Sequence, residues 1–195
     1  MKKIILITFI LISTLIYSQQ IYPLNTTEAR INYPSGSYFK DLDGELDPYI
    51  GLWKGTWEGK TLFIQFKKLK YMIGKTSDPH YIYIDRILGE RKVIEANGTV
   101  SIDRISSFDN QNAQFDGIDE KLTNPSQKQI YFVTGICGIT ANLDVTFLDT
   151  AKTQMSLHFI YNPGYLDESC PYYNSMQQGT EPPLNFPKDI VLTKQ

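Results

Sequence analysis

Residues able to do chemistry are few in this chain. It holds two histidines, His80 and His158, and two cysteines, Cys137 and Cys170. Neither His-x-x-x-His nor Cys-x-x-Cys spacing occurs. A first-row metal site takes three or four N, S or O ligands, so zinc would have to borrow distant carboxylates, and no metal site is expected. No Gly-x-Ser-x-Gly elbow is present to expose a nucleophilic serine, and Ser35 and Ser37 of "PSGS" lie in a stretch without periodicity. The glycines of "GICG", Gly135 and Gly138, lack the lysine and the following helix of a phosphate loop. No catalytic residue and no cofactor are expected, and the chain reads as non-enzymatic.

Carboxylates cluster twice. Asp41, Asp43, Glu45 and Asp47 alternate in "DLDGELD", and Asp116, Asp119 and Glu120 crowd "DGIDE". Paired carboxylates serve glycoside hydrolysis, and oxygen-rich loops hold calcium. The first cluster has the Asp-x-Asp-Gly start of a calcium loop but lacks its distal bidentate glutamate. Solvated loop charge is the plainer reading of both.

Cys137 and Cys170 allow two readings. In an oxidising compartment they form a disulfide, and closing a loop of about 34 residues would stabilise the fold by roughly 3–4 kcal/mol. Alternatively Cys137, set between glycines, is a small buried strand residue.

The two tryptophans, Trp53 and Trp57, fall within "YIGLWKGTWEG", residues 49–59. Four residues apart on an extended strand, they share a face. Gly51, Gly55 and Gly59 have the same parity, and glycine in strands marks bulges or close approach. Large rings beside missing side chains pack a core efficiently, which is the plainer reading; the alternative is an aromatic platform for a sugar or lipid. Trp53 and Trp57 are therefore the candidate ligand-binding residues.

The elements that would carry these residues are strands. Apolar positions alternate in "KTLFIQFKKLKYMIG", with Leu62, Ile64 and Phe66 on one face, and in "TQMSLHFIY", with Met155, Leu157, Phe159 and Tyr161 on one face. Period two indicates half-buried strands. Asn97-Gly98 predicts a type I′ hairpin turn between "RKVIE" and "TVSIDRI". "QIYFVTGIC", "NLDVTFLDT" and the closing "DIVLTK" are further strands. "SSFDNQNAQFDGIDEKLTNPSQK", residues 106–128, reads as a long loop or as short weak strands joined by turns. Residues 162–187 are irregular and proline-rich. No apolar stripe of 3.6-residue period and no internal repeat appears after the N-terminus. Six to nine short strands with hairpin-length links predict an all-β fold, an antiparallel meander closed as a barrel or stacked as a sandwich.

The N-terminus reads as an address. "MKK" is followed by the apolar run Ile4–Ile16 and by "YSQQ", the layout of a cleaved secretory signal peptide over residues 1–18. The run falls short of the roughly 20 apolar residues of a transmembrane helix, so the mature chain is not expected to span a membrane. No cysteine near the cleavage region offers a lipid anchor. Residues 19–47 form an extended arm, and residues 48–195 a single β-domain. Removing Lys2 and Lys3 from 19 basic residues leaves 17 against 21 acidic ones, a net charge of −4. A mildly acidic chain without a dense basic cluster gives no electrostatic reason to bind nucleic acid.

The phrases "YIGLWKGTWEGKTLFIQFKK", "YIDRILGERKVIEANGTV" and "PKDIVLTKQ" resemble an uncharacterised family of small exported Bacteroidetes proteins, which brings no known activity. More distantly, the Gly-x-Trp opening resembles the lipocalins. That likeness implies an eight-stranded barrel whose Trp53 plugs the closed end against a basic residue from near the last strand. Lipocalins use arginine there, but the last arginine in this chain is Arg104, leaving only Lys188 or Lys194. A lysine can lie over an indole face but lacks the planar stacking of a guanidinium. "LDTA" at residues 148–151 resembles the acceptor for O-glycans in exported Bacteroidetes proteins.

The expected protein is exported, to the periplasm or the medium, and holds a small apolar or glycan ligand in an aromatic-lined cavity. The alternative is an envelope or surface interaction module that uses the 162–187 segment as its contact loop. Composition leaves the oligomeric state open.

Overall fold

A computed structural model describes residues 19–26, 28–121, 124–162, 167–180 and 184–195, excluding the side chains of Pro125 and Ser126. The expected signal peptide, residues 1–18, lies outside them. Eleven strands are present: β1 (Ile21–Pro23), β2 (Tyr38–Lys40), β3 (Gly51–Trp57), β4 (Lys60–Ile73), β5 (Ile82–Ile94), β6 (Val100–Asp103), β7 (Phe115–Lys121), β8 (Asn124–Val133), β9 (Thr140–Phe147), β10 (Gln154–Asn162) and β11 (Asp189–Lys194). One short helix, α1 (Tyr173–Gln177), precedes β11. The chain forms two compact units, the described part of Met1–Asp43 with Lys70–Asp85, and Gly44–Leu69 with Arg86–Gln195.

In the smaller unit β1 runs parallel to β2, and β2 parallel to the start of β5, with Tyr38 opposite Tyr83. Phe39, Ile82 and Ile84 are its buried centre, covered by Tyr22, Leu24 and Tyr33. The Lys70 ammonium sits 4.6 Å from the Tyr38 ring and 4.4 Å from the Tyr83 ring. The Tyr38 hydroxyl donates to the buried carboxylate of Asp85, which also accepts from the Asp41 amide at 2.9 Å.

The larger unit is a closed antiparallel barrel of eight strands. Its ring runs β5, β4, β3, β11, β10, β9, β8, β7 and returns to β5 through Leu88 opposite Asp116 and Gly89 opposite Phe115. Closure leaves no sheet edge along this ring to be protected. The alternation expected from the sequence holds where it was clearest: Leu62, Ile64 and Phe66 on β4 and Met155, Leu157 and Phe159 on β10 are all buried. Two glycines let the wall approach itself. A Cβ at Gly89 would lie 2.6 Å from the Phe66 ring, and one at Gly55 would lie 2.7 Å from the Val191 carbonyl oxygen on β11.

The Asn97-Gly98 hairpin joins β5 to β6, but its turn is not type I′. Only Gly98 has a positive φ, 84°. The Gly98 amide bonds to the Glu95 carbonyl and the Glu95 amide to the Thr99 carbonyl, both at 2.8 Å. That is a tight turn followed by a left-handed glycine, the three-residue hairpin alternative, and it shifts the register at Val93/Ile94. The polar stretch 106–128 supplies β7, the strand that closes the barrel. Its polarity follows from its outward positions: Asp116 pairs with Arg86, and Glu120 with Lys128.

Candidate functional site

The two ends of the barrel are built differently. At one end Trp53 is fully buried, and its indole N–H donates to the Tyr49 carbonyl at 2.7 Å, so its polar atom is satisfied. Phe147 packs against both, with ring centroids 4.9 Å from Tyr49 and 6.3 Å from Trp53. Lys194, paired with Trp53 across β11 and β3, places its ammonium 5.4 Å from the indole centroid and donates to the Pro48 carbonyl at 3.0 Å. The lysine thus occupies the position that the lipocalin likeness assigns to an arginine.

Trp57 lies at the opposite end and is half-buried. The side chains that fill the barrel interior include Leu62, Ile64, Phe66, Leu143 and Leu157, each at most 1 % exposed. Towards the Trp57 end a group of phenylalanines forms a throat. Phe115 and Phe132 lie 4.8 Å apart, and Phe186 stacks 5.3 Å from Phe132 and 5.7 Å from Phe159. Phe186 belongs to a strap, residues 184–187, that crosses this end just before β11.

Arg91 holds the strap from beneath. It projects from β5 into the throat, is 3 % exposed, and lies 5.2 Å from the Phe132 ring and 5.6 Å from the Phe186 ring. It donates to Gln114 Oε1 at 3.1 Å, to the Asn185 carbonyl at 3.0 Å and to the Leu184 carbonyl at 3.0 Å. All three acceptors are neutral. The adjacent carboxylate, Glu90, is engaged by Arg104 through two bonds of 2.7 and 2.9 Å. Burial pulls the Arg91 guanidinium down to about 10, with Arg104 adding to the shift and Glu90 opposing it, so it remains a cation at neutral pH.

Asn185 turns the strap. Its φ of 47° is left-handed, a conformation asparagine tolerates better than most residues. Its side chain accepts from Lys60 Nζ at 2.8 Å and donates to Glu95 Oε1 at 2.7 Å and Ser101 Oγ at 3.1 Å. Two clefts flank the strap. One, of about 310 Å³, is lined by His158, Phe159, Ile160, Tyr161, Leu184, Phe186 and Lys188. The other, more open, lies beside Trp57, Lys60, Asn185, Phe186 and Lys188. Each of the two sequence-predicted aromatic residues therefore has a distinct place: Trp53 in the closed end, Trp57 beside the strap.

Cys137 and Cys170 form a disulfide. Cys137 is not a strand residue; it sits at φ 47° in the turn between β8 and β9 and is tied to the segment leading into α1. The histidines stay apart: His158 is exposed and its Nδ1 lies 2.5 Å from Asp189 Oδ1, and His80 is exposed. Among the described residues no group of three or more His, Cys, Asp or Glu is placed to share a metal ion. Asp149 accepts from the Thr153 and Gln154 amides, both at 2.9 Å, and caps the turn between β9 and β10. Thr150 beside it is exposed. The sequence reading missed Arg91 and the strap. A charged residue inside an apolar strand, "RILGERKVI", was the available signal.

A closed, lipocalin-like antiparallel barrel of eight strands, plugged at one end by a tryptophan and strapped at the other, is the class of protein defined here. Over residues 1–195 the chain matches a family of unknown function, DUF6705, and belongs to it. No curated protein and no solved structure matches it. No helix among the described residues is long and apolar enough to cross a membrane, which leaves strand-built spans untouched.

Proposed function

We propose that this is an exported, non-enzymatic barrel protein that binds a small, largely apolar ligand at the strapped end. The observation that carries the reading is the aromatic throat: Phe115, Phe132 and Phe159 converge on Phe186 of the strap, which is bordered by clefts, whereas the Trp53 end is packed shut. Apolar walls with a few convergent polar groups are the usual make-up of a small-molecule site. Trp57, with the Lys60 ammonium over its ring at 5.6 Å from the centroid and Asn185 lining the same cleft, offers an aromatic surface and hydrogen-bonding groups that suit a sugar. Export draws on the leader-like N-terminus and on the disulfide, a bond that persists in oxidising compartments.

The test is a thermal-shift and native-mass panel of fatty acids, alcohols, sterols and short glycans on the disulfide-intact protein. A ligand present at about 100 times its Kd adds roughly 2.7 kcal/mol to stability, which a melting curve resolves. Binding of apolar ligands that Phe159→Ser weakens supports the site. A panel that leaves both melting point and mass unchanged removes it.

A second reading treats the 162–187 segment, of which residues 163–166 and 181–183 lie outside the described residues, as a contact surface for an envelope partner, with Asp167, Glu168 and Ser169 at its exposed part. It draws on their exposure beside the disulfide that fixes them. Alanine substitutions there that leave cross-linked partners unchanged would exclude it.

A further inference from the structure

Arg91 is an unusual core residue. A buried cation ordinarily has an anionic partner, because desolvating an unpaired charge is costly. Here the hydrogen bonds of the guanidinium end on one amide oxygen and two backbone carbonyls. Both carbonyls belong to the strap. Leu184 and Phe186 line the 310 Å³ cleft on one side and meet Arg91 on the other, Leu184 through its carbonyl and Phe186 through its ring. The strap therefore separates a fixed positive charge from a cleft with an aromatic wall.

We propose that Arg91 is an anion anchor, and that the strapped end takes an apolar molecule bearing a carboxylate, whose headgroup replaces the Leu184 and Asn185 carbonyls at the guanidinium. This inference rests on the ligand-binding reading of the throat and names its ligand class. Opposite charge adds a Coulombic attraction that the neutral carbonyls lack, and the guanidinium fork matches a carboxylate with two parallel bonds, which adds energy as well as geometric specificity. A carboxylate is thus the acceptor best able to displace the strap, and the phenylalanines receive the chain attached to it. Gln114 stays in place as the third partner. The contacts of Asn185 with Lys60, Glu95 and Ser101 define the closed position to which the strap returns. Lys60 and Glu95 are themselves paired at 3.2 Å, so their charges offset each other at the opening, while Lys188 adds an exposed positive charge to the cleft.

The experiment compares a matched pair of probes, decanoate and decanol, by calorimetry on the wild-type protein. Tryptophan fluorescence is followed in parallel, because the Trp57 indole borders the strap while Trp53 is packed in the closed end. Decanoate is expected to bind at least tenfold more tightly than decanol and to change that emission. Arg91→Gln should abolish that preference without weakening decanol. Asn185→Gly, which keeps the left-handed backbone and releases the three side-chain contacts, should strengthen decanoate binding several-fold. It also serves if the Arg91 variant does not fold. Equal affinity for the two probes would overturn the anchor and leave the ligand-binding reading standing. Failure of both probes to bind would remove the anchor, and the wider panel would then decide the reading itself.

Discussion

Lys194 lies across the indole of Trp53, its ammonium 5.4 Å from the ring centroid, and the two residues face each other across β11 and β3. One contact thereby joins the first strand of the barrel to its last. The same ammonium bonds the Pro48 carbonyl at 3.0 Å, and the indole bonds the Tyr49 carbonyl at 2.7 Å. Both residues thus hold the chain where it enters β3. Trp53→Ala should cost about 3–5 kcal/mol, the usual loss for a large buried aromatic. Lys194→Met keeps the aliphatic stem and loses the charge, for a cost of about 1 kcal/mol. In a double-mutant cycle read by urea unfolding, Trp53→Phe and Lys194→Met should couple by about 0.5–1 kcal/mol. Strict additivity would mean that the lysine merely passes the ring.

The disulfide should contribute stability that reduction removes. Cys137 and Cys170 are 33 residues apart, and a loop of that size is worth roughly 3–4 kcal/mol. The paired serine variant should therefore melt below the oxidised protein, by roughly 6–16 °C for a domain of this size. Reductant should lower the wild-type melting point and leave the variant unmoved. Because the bond fixes the β8–β9 turn to the segment before α1, amide exchange should accelerate in both places.

The sequence made the barrel legible where an element buries one face and exposes the other. On β4 and β10 the period-two pattern follows directly from an apolar interior and a solvated exterior. The segment 106–128 was harder because β7 is short and polar: it exposes Asp119 and Glu120, and only Phe115 and Gly117 are buried. Its strand character comes from closing the ring against β5, which is distant in sequence. Arg91 was illegible for a related reason. Whether a charge in a strand points inward depends on register, and its partners Leu184 and Asn185 lie more than ninety residues away. Local patterning located the tryptophans on one face, but the arrival of Phe147 and Lys194 at one and of the strap at the other decided which is a plug and which borders a cleft.

Acid should weaken the fold through carboxylates held ionised. Asp103 accepts from Lys92 Nζ at 2.9 Å and from the Ser106 amide and hydroxyl at 3.0 and 2.9 Å. The Lys92 bond, with Ser106 adding to it, lowers its carboxyl from 3.8 to about 2. A depressed folded-state value contributes stability above the unfolded value, and that contribution is lost as pH falls through the folded one. The melting point should accordingly fall between about pH 4 and pH 2. Asp103→Asn should flatten part of that slope and leave the curve above pH 5 parallel to wild type. An unchanged slope would show that Lys92 and Ser106 do not hold the carboxylate in solution.

Two glycines separate crowding from backbone conformation. Gly89 has no positive φ, but a Cβ there would sit 2.6 Å from the Phe66 ring and 3.0 Å from the Phe115 Cβ. Gly98 meets nothing within 4 Å, yet its φ is 84°. Gly89→Ala pushes a methyl into a filled interior and should cost about 1–3 kcal/mol by overpacking. Gly98→Ala strains only the turn between β5 and β6, at about 1 kcal/mol. The two should also respond differently to repair. Phe66→Leu makes room beside position 89 and should recover part of the Gly89→Ala loss while leaving the Gly98→Ala loss intact. Asn at position 98 tolerates the left-handed backbone and should outperform Ala there, whereas at position 89 it should be worse than Ala because it adds volume and an unpaired amide. Urea unfolding of these variants distinguishes the two causes. If Phe66→Leu gave no recovery, Gly89 would owe its place to something other than the ring above it.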